Sequence, residues 1–81
     1  MALKITVRAF WDQEAKVWVA ESEDVPGLAT EAPTMEELIR KLRVMIPELL
    51  SLNLREEFSE DEVPVEIISR RVETLRPAGS A

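Results

Sequence analysis

The chain has 81 residues, a formal net charge of −6, 46% apolar and 32% charged side chains, and neither cysteine nor histidine. That length suits one small globular domain and not two, and the missing residues exclude disulfides and thiolate or imidazole metal sites. The acidity argues against general nucleic-acid binding, whose affinity comes from neutralising phosphates.

The N-terminus enters strand-like alternation at once. Leu3, Ile5, Val7, Ala9 and Trp11 alternate with Lys4, Thr6, Arg8, Phe10 and Asp12, the pattern of a half-buried strand. A signal peptide would need a charged start and an apolar stretch there, and no run approaches the length of a membrane helix, so a cytoplasmic protein is expected. "DQEAK" interrupts the alternation and "VWVAES" resumes a β-rich run, which reads as a hairpin. Two registers fit. A three-residue loop between Asp12 and Lys16 sets Phe10 opposite Trp18. A one-residue slip sets Trp11 opposite Trp18 and buries both indoles.

Pro26-Gly27 suits a type II turn, with proline fixing φ at the first central position and glycine accepting φ > 0 at the second. A third short strand over Leu28–Glu31 follows, and Pro33 holds Ala32 extended. Thr34 and Glu37 form a capping box. Met35, Leu38, Ile39, Leu42, Met45, Ile46, Leu49 and Leu50 recur at helical spacing as one apolar stripe, predicting a helix from Met35 to about Leu52. Pro47 lies inside it and should bend or restart it by removing a donor and clashing with the carbonyl of Arg43. "REEFSEDE" reads as a loop, "VPVEIISRRVETL" as a last strand, and residues 77–81 as a frayed tail to a single domain over 1–76.

The predicted fold is α+β, two layers in the order β-β-β-α-β. A right-handed crossover through the helix places strand 4 beside strand 1 and parallel to it, giving a mixed sheet of order 3-2-1-4. One sheet face then stays uncovered. In the three-residue-loop register, Phe10, Trp18, Ala20 and Ile68 form an apolar patch there, which predicts a homodimer or a dimer of dimers.

Charge is distributed unevenly. Residues 12–37 hold eight acids against Lys16, and residues 56–66 hold six acids and no base, whereas 38–55 carry Arg40, Lys41, Arg43 and Arg55 against Glu48. Solvated loops and a helix matched to its dipole account for this, and so does steering of a basic partner. No nucleophile–base pair can be built without His, Cys or Tyr. Glu21, Glu23, Asp24 and Glu31 lack the spacing of a cation loop and read as solvated acids. Two glycines cannot make a phosphate-cradling loop. The chain is expected to be neither an enzyme nor a cofactor protein. Its single Gln and single Asn beside many charges lean towards heat adaptation.

The segment "WDQEAKVWVAESEDVPGLATEAPTMEEL" resembles the N-terminal domain of HicB-type antitoxins and of small bacterial proteins sharing its pattern. The likeness rests on the aromatic hairpin, the acid before Val25-Pro26-Gly27, Thr30, and the helix start at Thr34-Met35-Glu36-Glu37. It covers residues 3–52 and, more loosely, the last strand. It implies a partial ribonuclease-H-like layer without the nuclease acids. It also implies a binding module that covers a small basic ribonuclease toxin. Two other readings stand beside it. One is a stand-alone homo-oligomer with a structural or small-ligand role. The other is RNA binding by Lys4, Arg8, Phe10, Trp18 and Arg70 on the sheet.

Overall fold

A computed structural model describes residues 4–52 and 63–79. The elements are β1 (Ile5–Asp12), β2 (Val17–Glu21), β3 (Ala29–Ala32), α1 (Met35–Leu52) and β4 (Val65–Arg70). They form one mixed sheet of order β3-β2-β1-β4, with β1 parallel to β4 and antiparallel to β2. This is the predicted α+β layer. Leu3 and the expected loop at 55–62 lie outside the described residues.

The hairpin takes the slipped register. Trp11 pairs with Trp18, Ala9 with Ala20 and Phe10 with Val19. The loop therefore has four residues, Gln13 to Lys16, and its chemistry explains why. The Asp12 carboxylate accepts from the N–H groups of Glu14 and Ala15 at 3.0 and 3.1 Å. Lys16 N–H closes the loop on the Asp12 carbonyl at 2.8 Å, and Lys16 itself takes φ 60°, a left-handed conformation. An aspartate opening a turn is a known side-chain substitute for backbone bonding. A lysine at positive φ is not, so the extra loop residue carries little sequence signal.

That slip moves two residues. The three-residue loop would set Trp18 and Ala20 on the open face with Phe10 and Ile68. They lie on the helix side instead, because side chains alternate with period two and a one-residue shift exchanges the faces. Ala20 is fully buried, and Trp18 packs on the rim of the core.

The core joins Ile5, Val7 and Ala9 of β1, Ala20 of β2 and Ala32 of β3 to Leu38, Leu42 and Ile46 of α1. Spacing of four along the helix puts those three side chains on one stripe. The small pair Ala9 and Ala20, opposite each other on β1 and β2, leaves room for that stripe to sit close to the sheet. Val25 and Leu28 close one end of the core from the turn. α1 passes through Pro47 without interruption, so it does not restart there. Lys41 reaches from α1 across the outer edge of the sheet and donates from Nζ to the Glu31 carbonyl of β3 at 2.6 Å.

The turn and the cap have the expected form. Leu28 N–H donates to the Val25 carbonyl at 3.1 Å across Pro26-Gly27, and Gly27 has φ 87°. Glu37 N–H donates to Thr34 Oγ1 at 3.1 Å, the threonine half of the box, and Leu38 N–H to the Thr34 carbonyl opens the helix. β3 runs one residue later than expected, Ala29–Ala32. β4 ends at Arg70 and not near Leu75, and Arg71, next in the register, lies beside Trp11.

Gly27→Val should destabilise the fold by about 1 kcal/mol or more, since a branched residue must hold positive φ. The new side chain would also meet Leu49 Cδ2, which lies 3.5 Å from the Cβ position. Thr34→Ala should cost about 1 kcal/mol through the lost cap. Urea unfolding measures both. Two variants within about 0.3 kcal/mol of the parent would overturn these roles.

Candidate functional site

The open face is built by the side chains that the helix does not cover. The register places Arg8 and Phe10 of β1 beside Val19 and Glu21 of β2 on one side, and beside Ile68 and Arg70 of β4 on the other. Phe10 is 39% exposed and Ile68 51%, diagonal neighbours on β1 and β4 that form an apolar strip with Arg8 opposite Ile68 and Arg70 opposite Phe10. Val19, half-buried, joins it from β2. Of the four residues expected in the patch, the structure therefore keeps Phe10 and Ile68 together and adds Val19, while Trp18 and Ala20 point away.

Charged residues border this strip and are largely matched. The Arg8 guanidinium lies 3.5 Å from Glu21 and 3.4 Å from Glu23, and Lys4 lies 3.2 Å from Glu66. All five side chains are about half exposed or more, so these pairs contribute little stability individually. Their effect is on the chemistry of the face. With Arg8 and Lys4 matched by glutamates and Trp18 on the other side, the set proposed for stacking and neutralising RNA reduces to Phe10 and Arg70.

On the helix side, at the rim of the core, the indoles of Trp11 and Trp18 meet edge to face with centroids 5.5 Å apart at 64°. Such pairs add about 0.5–1.5 kcal/mol beyond the area they bury. The Arg71 guanidinium lies 4.2 Å from the Trp11 ring centre and 5.9 Å from that of Trp18. Glu73 pairs with Arg71 from the other side. Arginine over indole is attractive because the ring face carries partial negative charge. The stack fixes the point at which the chain leaves the body.

Ser22 and Asp24 have a role that reading them as loop residues misses. β2 ends at Glu21, opposite Arg8, and leaves the next stretch of β1 without a backbone partner on that side. Ser22 Oγ–H donates to the Thr6 carbonyl at 2.6 Å, and Thr6 N–H donates to Asp24 Oδ2 at 2.8 Å. Asp24 N–H donates in turn to Ser22 Oγ at 3.1 Å. Two side chains thus stand in for one strand residue, while the backbone is already turning towards Pro26. The available signal was a serine and an aspartate two apart just before Val-Pro-Gly. Asp24 is thus a structural acceptor and not a solvated acid. Among the described residues no group of three or more acids is placed to hold a metal ion, and no helix is long and apolar enough to cross a membrane.

Residues 4–77, nearly the whole chain, match a domain of unknown function, DUF1902. The chain belongs to the DUF1902 family. A solved relative is the hypothetical protein TTHA1013 from the extremely thermophilic bacterium Thermus thermophilus. It is 53% identical, with 91% of this chain and 99% of that one aligned at a TM-score of 0.66. No curated protein matches. The DUF1902 fold is therefore seen here as a sheet with one dressed and one bare face, and the bare face is the candidate site.

Asp24→Ala should cost about 1–3 kcal/mol, because it leaves the part-buried Thr6 N–H without its acceptor. Asp24→Asn, which keeps an acceptor oxygen, should recover at least half of that loss. Urea denaturation of the two variants compares them, and an alanine variant as stable as the parent would remove the aspartate from the ladder.

Proposed function

We propose that this chain is a non-catalytic, cytoplasmic protein-binding module of the HicB-like kind, and that its open sheet face is the contact surface. The observation that carries the proposal is the exposed strip of Phe10, Val19 and Ile68, bordered by charges of both signs. A contiguous apolar patch rimmed by polar residues is the common form of a protein interface. The absence of His, Cys and Tyr from the sequence supports binding over catalysis, because it removes the usual nucleophile–base pairs.

The partner that fits is a small basic protein. The net charge of −6 favours encounter with an oppositely charged surface. The likeness of the hairpin, the Val25-Pro26-Gly27 turn and the Thr34 helix start to HicB-type antitoxins makes a basic ribonuclease toxin the first candidate. The stand-alone homo-oligomer is the second reading, favoured by the exposed apolar residues of the chain that follows β4.

Copurification from the native host, followed by an RNA-cleavage assay, tests the first reading. A small basic ribonuclease is expected with the tagged chain, its cleavage suppressed by added chain in molar ratio. Phe10→Ser, placed on the exposed strip, should lose both capture and suppression while unfolding at the parent's temperature. Recovery of the chain alone, reproducibly, or capture unaffected by Phe10→Ser, would overturn the proposal.

A further inference from the structure

Beyond β4 the chain continues as an extended arm, residues 71–79, without regular secondary structure, and every residue of it is exposed. The arm is not simply a polar tail. Val72 is 72% exposed and Leu75 is 81%, which with Leu52 makes them the most exposed large apolar side chains of the described residues. Its root is clamped, since Arg71 lies over Trp11 and pairs with Glu73. A chain held at its base with two uncovered apolar residues further along is placed to meet another surface.

Charge distinguishes the arm from the body. Residues 71–81 carry Arg71 and Arg76 against Glu73, a net +1, so residues 1–70 carry −7 and the whole chain −6. The arm is thus the cationic end of an acidic protein. Acids lie where it could reach them on the open face, Glu21 beside Val19 on β2 and Glu31 across from Val19 on β3. At about 3.3 Å per residue the seven residues 71–77, before the turn at 78–79, could reach about 23 Å. That exceeds the roughly 14 Å between the outer strands of a four-stranded sheet. All nine residues of the arm are exposed, and past the contact of Arg71 with the tryptophans Val72 and Leu75 stay uncovered.

We propose that the occupant of the open face, when no other partner is bound, is the arm of a second copy of this chain. Val72 and Leu75 of each copy cover Phe10, Val19 and Ile68 of the other, and Arg76 meets Glu31 and Glu21. The contact is isologous, the same arm and face exchanged both ways, so it closes at two. It rests on the reading of the open face as a protein-binding surface and names a ligand for it.

The test is the mass in solution, by sedimentation equilibrium from micromolar to millimolar chain. The full protein is compared with a chain ending at Arg71 and with full-length Leu75→Asp and Phe10→Ser. Arg71 is kept so that its stack on Trp11 persists, and circular dichroism verifies that each variant is folded. The expected result is twice the chain mass for the parent and a single chain mass for all three variants. Added in excess, truncated chain, which keeps the face, should take up the parent's arm and dissociate its dimer, and a peptide of residues 70–79 should do the same from the other side of the contact. A parent that stays monomeric throughout overturns the arm exchange and leaves the open face to its other partner. A truncated chain that still dimerises while Phe10→Ser does not overturns the arm as the occupant but keeps the face. Dimers unaffected by Phe10→Ser place the contact elsewhere and overturn the proposal.

Discussion

The structure depends on the way Asp12 closes the first hairpin. Its carboxylate takes two loop N–H groups and its carbonyl takes a third, from Lys16. Four loop residues follow, one of them left-handed, and the strands then pair Trp11 with Trp18. Every later feature inherits that register. Ala20 comes to lie beneath the helix, where a larger side chain would hold α1 away. The indoles meet each other instead of facing opposite directions, and Arg71 finds a surface to rest on. Phe10 is left on the bare side with Val19.

Much of this was legible in the sequence, because the relevant signals are local. Alternation over residues 5–12 marked β1 and its buried residues, and the 3.6-residue stripe marked α1 almost to its ends. Pro26-Gly27 and Thr34 each specify a backbone shape with one or two residues. The sheet order followed from the handedness of a single crossover. What was not legible required knowledge of distant partners. The hairpin register turned on a lysine at positive φ, which composition does not announce. The work of Ser22 and Asp24 turned on a strand sixteen or more residues earlier.

The same register reshapes the functional picture. An aromatic cluster of Phe10 and Trp18 on one face would have offered a stacking platform for bases. With the indoles on the other face, the open side carries two aliphatic residues and one phenyl ring, and two of its cations, Lys4 and Arg8, are engaged by glutamates. Such a surface is suited to another protein more than to a polyanion. It is also small, which suits a contact completed by an extended segment better than one between two flat sheets.

The two edges of the sheet are not equivalent. On β3 the outward carbonyl of Glu31 is occupied by the ammonium of Lys41, a charge brought over from the helix. On β4 no such strap is present among the described residues. A sheet with two free edges can template itself without limit, which is how ribbons and fibrils grow. The Lys41 ammonium thus takes one acceptor out of the β3 margin, which makes that edge a poorer template for an added strand than one whose carbonyls are all free.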